Sequence, residues 1–362
     1  MSGPGPADPP LAGLRVLELA TLYAAPQVGA MLGDLGADVV KVEPPGGDPM
    51  RGMGVVRDGV SRNWSWVARH KRSIVLDLDG DADRETFRQL VGAADVLVEN
   101  LTPTVRDRWG CGYEQLAAIN PALVVVAVSC YGQTGPYADR PGAGTLAEAY
   151  AGLADLTGAP DGPPTLASVP LGDTLTAFWG VIGALAASWA RQRGAPGRLV
   201  DVAMYEPVLA VLGGTIAGYD DADPPRRSAS RVRGGAPRNV YRTRDAAYVA
   251  VSGTTDPQVS RLLALLGRDG PDDVARFGRA QDRLPHADEL DRLVADFVAE
   301  RDRAAVVTAF LDARIPVAPV NDVGALLEDP HLRARGSLEP MVGRGGPDLD
   351  GDRDAVLREW LA

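Results

Sequence analysis

The chain has 362 residues, 45% of them apolar, and its 37 Lys and Arg against 48 Asp and Glu leave a formal net charge of −11. That apolar share can bury one large core or two smaller ones. The acidic balance argues against a nucleic-acid partner, whose phosphates call for a basic face, but leaves room for a small phosphorylated ligand held by a few local cations.

Residues 1–10 are rich in Pro and Gly and lack the basic and apolar regions of a signal peptide, so a disordered leader is expected there. The chain then alternates between two periods. Arg15–Leu19 (RVLEL) reads as a buried strand, 26–35 as a helix stopped by Gly36, Asp38–Glu43 (DVVKVE) as a second strand and 73–78 (SIVLDL) as a third. A helix is expected at 83–92, a fourth strand at 95–99 (DVLVE) and a fifth at 123–129 (LVVVAVS). Short apolar runs alternating with amphipathic helices imply an α/β fold with a parallel sheet covered on both faces. Helices are expected at 146–158 and 174–191, the second apolar enough to be buried. The polar, Pro-rich stretch 220–235 reads as a linker. Beyond it lies a unit of α+β character, with a strand pattern inside 239–252, helices near 257–266 and 287–312, a Pro-broken region to about 349 and a last helix at 354–361. No uninterrupted apolar run approaches a membrane span, so a soluble, cytoplasmic protein without a membrane partner is expected.

Cys111 and Cys130 read as free, partly buried thiols, because a chain of this size needs no disulfide staple. His70, His286 and His331 are far apart and show no metal-ligand spacing, so no metal is expected. In open parallel sheets ligands bind at the carboxyl ends of the strands. The segments after the strands are 20–26 (ATLYAAP), 44–51 (PPGGDPMR), 100–108 (NLTPTVRDR) and 130–140 (CYGQTGPYADR), a polar setting with several Arg. The first of these turns has no GxGxxG, so a nicotinamide dinucleotide fits poorly. The run Arg69–His70–Lys71–Arg72 is the sharpest local positive charge. It is either a solvated loop or, through Lys71 and Arg72, a phosphate anchor. Asp173, just before the apolar helix, has the chemistry of a helix N-cap.

Several blocks in order resemble the family III CoA-transferases, the CaiB/BaiF family: PLAGLRVLELA at 10–20, LGDLGADVVKVEPPGGDPMR at 32–51, RHKRSIVLDL at 69–78 and ADVLVENLTPTVRDRWG at 94–110. INPALVVVAVSCYGQTGP at 119–136, PLGDTLTAFWGVIGALAA at 170–187, GRLVDVAMYEPVL at 197–209, GGAPRNVYRTRDAAYVAVSG at 234–253 and EDPHLRARG at 328–336 continue the pattern. The resemblance implies a large Rossmann-like domain, 1–204, completed by the tail 345–362. It implies a linker at 205–236, a small domain at 237–325, a return linker at 326–344 and an interlocked, ring-shaped homodimer. The substrates it implies are an acyl-CoA thioester, which brings the coenzyme A, and a small carboxylic acid.

Asp173 falls on the family's catalytic aspartate. Its carboxylate would attack the thioester to give a mixed anhydride, and the CoA thiolate would return to form an aspartyl-CoA thioester from which an incoming acid collects CoA. By the same resemblance Tyr23 and Ala24 line the active site, Asn100, Leu101 and Arg108 contact CoA, and Leu76 lies near the adenosine. Gly234 and Gly235 match a mobile glycine loop or a plain linker. Tyr23, Trp66, Tyr131 and Tyr137 are candidates to shape the acyl pocket or to pack. Related 2-methylacyl-CoA racemases carry a histidine and an acid after GQTGP; here Ala143 and Gly144 stand there, so a two-base racemization lacks one base. Asp256 sits roughly at an auxiliary acid of the racemases and reads more simply as an exposed loop residue. A protein that binds CoA esters without turnover is the third reading.

Overall fold

The computed structural model describes residues 9–342 and 345–362. Most of the expected leader therefore lies outside the described residues, as does the end of the expected return linker at 343–344. The described chain divides into two units, one formed by 9–156, 164–225, 341–342 and 345–362, the other by 157–163 and 226–340.

The first unit holds β1 (Arg15–Leu19), α1 (Ala24–Asp34), β2 (Asp38–Glu43), β3 (Lys71–Val75), α2 (Asp81–Ala93), β4 (Val96–Glu99), α3 (Pro103–Trp109), α4 (Tyr113–Ile119), β5 (Val124–Ser129), α5 (Gly144–Tyr150), α6 (Leu171–Gln192), β6 (Arg198–Ala203) and α7 (Tyr205–Val211). The six strands form one sheet in the order β3-β2-β1-β4-β5-β6, all parallel. This is the Rossmann order, and its switch point falls between β1 and β4.

The central strands β1, β4 and β5 read as near-continuous apolar runs because both faces are covered. Alternate residues feed different cores, as a period of two requires. Val16, Val39, Val96 and Val124 pack with Val28 of α1 and Ala177 and Ala184 of α6. Their neighbours Leu17, Val40, Leu97 and Val125 pack with Phe87 and Leu90 of α2 and Leu116 of α4.

The second unit contains an antiparallel sheet of β7 (Arg238–Arg242), β8 (Tyr248–Ser252) and β9 (Val317–Pro319), with β8 in the middle. It is covered by α8 (Asp256–Leu265), α9 (Ala287–Ala299) and α10 (Arg303–Asp312), whose Leu262, Leu290, Val294, Val306 and Phe310 bury Val249 and Val251. The tail returns to the first unit as α11 (Arg353–Trp360), where Val356 and Trp360 enter the Leu17 core and the Trp360 indole N–H donates to Asp38 at 2.8 Å.

Several expected elements differ. The helix expected over 146–158 breaks at Gly152, whose φ of +88° takes the chain out of the helical region. The third strand starts two residues early, at Lys71. The linker expected from 205 begins with α7 and a further turn at Gly213–Ala217. The helix expected over 287–312 is two helices, because Asp302 adopts an extended conformation at the start of α10. α6 starts at Leu171, which puts Asp173 inside its first turn. By length and composition α6 could cross a membrane, which the reading of apolar runs had missed; in the fold it packs along α1 and across β5 and β6.

Candidate active site

A cavity opens at the carboxyl ends of β1, β4 and β5, beside the switch point. Tyr23 lines it from the β1–α1 loop and Ala24 from the start of α1, Asn100 and Leu101 from the end of β4, Ser129 and Cys130 from the end of β5, and Arg140 and Ala143 from the following loop. Asp173 forms part of its wall.

Two glycines place that carboxylate. A Cβ on Gly172 would lie 2.5 Å from the Gly144 carbonyl oxygen, and one on Gly144 would lie 2.1 Å from Asp173 Oδ2. The starts of α5 and α6 therefore meet backbone to backbone, and the Asp173 carboxylate rests over the α-carbon of Gly144. Asp173 is not the cap of its helix. Pro170 holds the cap position, and the buried Glu148 of α5 accepts the Gly172 N–H at 2.9 Å and the Ala167 N–H at 3.3 Å. Glu148 thus satisfies part of the helix end, and the Asp173 carboxylate is left to face the cavity. Nothing in the sequence singled out Glu148.

Among the described residues no cation lies within ion-pair distance of Asp173. Burial pushes its carboxyl above the ordinary carboxylate range; its own backbone N–H opposes the shift and the charge of Glu148 adds to it. The carboxylate is half-buried, has no counter-ion among the described residues, and lies in the first turn of a long helix, near the positive end of its dipole.

Tyr23 and Ala24 stand at the start of α1, behind a fixed loop. The Asn100 side chain accepts the Thr21 N–H at 3.0 Å and donates to the Thr21 carbonyl at 2.9 Å. Burial, and next the charge of Asp173, raise the Tyr23 hydroxyl above its ordinary range. Leu76 is buried and lines a neighbouring cavity with Leu19, Val42, Pro44 and Trp109; Asn100 and Leu101 border both cavities. Asn100, Leu101 and Leu76 therefore meet along the strand ends.

The phosphate-anchor reading of Lys71 and Arg72 is corrected by their surroundings. Lys71 is fully buried, donating to Glu18 at 2.6 Å and to the Pro26 carbonyl at 2.6 Å. Arg72 pairs with Asp38 at 2.5 Å and Glu359 at 2.7 Å, and Arg69 pairs with Asp34 while stacking on Trp66. The cluster is engaged within the protein and does not line the Asp173 cavity. Arg108 also lies off that cavity, exposed and 3.2 Å from Asp79, beside Arg84 and Arg88. Gly234 and Gly235 belong to the second unit, where they border a cavity with Arg231 and Asp291. Asp256, read as a loop residue, opens α8 and pairs at 2.5 Å with the buried Arg283.

Tyr131, Tyr137, Tyr150 and Tyr205 form a chain of edge-to-face rings after β5, with the Arg140 guanidinium 3.5 Å above the Tyr137 ring. Cys130 and Cys111 are free and buried; burial raises both thiols, Cys111 to about 12, so neither is poised as a nucleophile. Among the described residues no histidine lines the cavity. Among the described residues no group of three or more His, Cys, Asp or Glu is placed to hold a metal ion.

The sequence profile of CoA-transferase family III matches residues 11–348. Succinyl-CoA–D-citramalate CoA-transferase of Chloroflexus aurantiacus is 37% identical over 343 residues, spanning 94% of this chain and 85% of that protein. Acetyl-CoA:oxalate CoA-transferase of Acetobacter aceti is 34% identical over 99% of this chain and 98% of its own length. The crystal structure of a CaiB/BaiF family protein from Brucella suis superposes with a TM-score of 0.84 at 31% identity, covering 98% of this chain and all of that one. The chain that builds this carboxylate-bearing cavity belongs to CoA-transferase family III.

Proposed function

We propose that this transferase moves CoA between an acyl-CoA thioester and a small carboxylic acid through covalent intermediates on Asp173. The observation that carries the reading is the Asp173 carboxylate: half-buried, without a cation, and aimed into a cavity at the switch point of a parallel sheet. In the first step a carboxylate oxygen attacks the thioester carbonyl, the C–S bond breaks, and CoA leaves as thiolate. The thiolate then attacks the aspartyl carbonyl of the mixed anhydride and releases the donor acid. An incoming carboxylate attacks the aspartyl-CoA thioester, and the freed thiolate takes up the new acyl group, which restores Asp173. Each step exchanges one activated acyl bond for another, so that one difficult exchange is divided into easier ones. The first-turn N–H groups of α6 favour the oxyanions formed beside them.

The relatives' names include citramalate and oxalate, so small dicarboxylic acids are the proposed acceptors. A homodimer is also proposed: α6 exposes Phe178, Trp179, Ile182 and Trp189, an apolar face that a second copy would cover. Sedimentation velocity tests that part.

The covalent reading is tested by mixing the protein with a panel of acyl-CoA thioesters, quenching with hydroxylamine or borohydride, and mapping modified peptides by mass spectrometry. A modified Asp173 peptide, missing in Asp173→Ala, is expected. An unmodified peptide with every donor, despite measurable CoA-ester binding, would count against covalent transfer. Solvent deuterium entering the α-carbon of a 2-methylacyl-CoA would then point to racemization.

A further inference from the structure

The interior beneath the β1–α1 loop holds a cluster of charges that the transfer chemistry does not use. Glu18 on β1, Lys41 on β2, Lys71 on β3 and Asp48 after β2 are all buried, the first two completely. Lys41 lies 2.9 Å from Glu18 and 2.8 Å from Asp48. A buried ion pair is no more stabilising than well-packed apolar residues of the same volume. Its stability therefore does not account for this cluster, but its hydrogen bonds to the backbone do.

Lys41 Nζ donates to the Ala20 carbonyl at 2.6 Å, and Asp48 Oδ1 accepts the Leu22 N–H at 3.2 Å and the Met50 N–H at 2.9 Å. These bonds end on either side of Thr21. Leu22, a residue with a branched side chain, has φ +68° and is 42% exposed. A left-handed conformation is strained for a non-glycine residue, and its half-exposed side chain has little packing to offset that. The conformation must be imposed from outside the loop. Tyr23 and Ala24 of the Asp173 cavity follow directly.

We infer that Lys41 and Asp48 are positioning residues for CoA transfer: as a pair they hold the left-handed turn at Leu22 and so set the cavity wall at Tyr23 and Ala24 opposite Asp173. The inference rests on the reading of that cavity as the transfer site. Apolar replacements could fill the space but could neither donate to Ala20 nor accept from Leu22. Asn in place of Asp48 would keep the acceptor without the charge.

The test uses Lys41→Met/Asp48→Leu, which removes one charge of each sign and leaves Glu18 with Lys71, beside the single variants Asp48→Asn and Asp48→Ala. Melting temperature, kcat and KM for CoA exchange, and amide exchange at Leu22 are measured on each. The double variant should melt at or above the parent temperature, lose about 10²-fold in kcat, as misplacement of a cavity wall by about 1 Å does, and lose protection of the Leu22 amide. Asp48→Asn should retain kcat within about fivefold and Asp48→Ala should not, since only the first keeps the backbone acceptor. A folded double variant with parental kcat and a protected Leu22 amide would overturn the inference. If the double variant does not fold, equal kcat and equal Leu22 exchange in Asp48→Asn and Asp48→Ala would overturn it instead. The amide measurement needs no turnover. A parent protein that never modifies Asp173 would refute the transfer reading, while the exchange data would still decide whether the pair holds the turn.

Discussion

The first unit removes carboxylates from water in two ways. Near the carboxyl end of β1, Glu18 is clasped by Lys41 and Lys71. For Lys41, burial pushes the ammonium down, but Glu18 and Asp48 more than offset it and its affinity for a proton rises. For Lys71, burial wins over Glu18, with Lys41 adding repulsion, and the ammonium drops to about 8. In the first turn of α6, Asp173 has no cation beside it among the described residues, and burial raises it. A carboxylate whose charge is balanced in the interior shapes backbone, whereas one left unbalanced at a cavity wall is available to form a bond.

The sharpest break in that comparison is Asp173→Asn. It should lower CoA exchange by at least about 10³-fold, because the amide cannot serve as the nucleophile. The melting temperature should hold or rise, since the replacement removes a charge that burial disfavours. A variant that loses both activity and fold would show that Asp173 belongs with the structural carboxylates.

Lys71→Met should do the reverse. Removing one partner leaves a buried carboxylate uncompensated, which costs about 3–5 kcal/mol. Urea unfolding at pH 7 checks this, and a loss under about 1 kcal/mol would mean that Glu18 is served by Lys41 alone. Gly144→Ala tests the placement of Asp173. A Cβ 2.1 Å from Oδ2 forces the carboxylate to move, so kcat should fall on the order of 10²-fold with KM little changed. An unchanged kcat would show that the carboxylate has slack.

Much of the fold was legible because parallel strands covered on both faces write themselves as apolar runs, and RVLEL, DVVKVE and LVVVAVS carry no competing helical period. The break at Gly152 was not, because a single glycine in a helical pattern is tolerated as often as it stops the helix. The misreading of Lys71 has a different cause. In the sequence it belongs to a basic cluster, but its partner Glu18 lies 53 residues away, and linear spacing does not show such pairs. One signal was present for its partners. Glu18 and Lys41 interrupt the apolar runs of RVLEL and DVVKVE, and a charge there must find an opposite charge inside. At the site, Asp173 was legible only through the resemblance, since an aspartate before a helix is ordinarily a cap. That Glu148 takes a share of the capping could be seen only once α5 and α6 were brought together.

Glu99 tests the comparison most finely, because it lies between the two kinds. It ends β4 beside the cavity, fully buried, accepting the Leu101 N–H at 2.6 Å with Arg106 3.9 Å away. Burial raises its carboxyl to about 7, the Leu101 bond and Arg106 opposing. Below about 4.5, its ordinary value, folded and unfolded chains both carry the proton and the group is neutral with respect to stability. Between 4.5 and about 7 the unfolded chain releases the proton while the folded one keeps it, so stability falls as the pH rises through that window and the whole penalty is present above it. Glu99→Gln keeps the acceptor for Leu101 and removes the titration. Relative to the parent it should gain roughly 1–3 kcal/mol at pH 8 and nothing at pH 4. Paired urea titrations at the two pH values measure the difference, in which the general acid sensitivity of an acidic protein cancels. A variant less stable at pH 8 would mean that Arg106 compensates the charge after all, and Glu99 would then join Glu18 among the carboxylates that hold the fold.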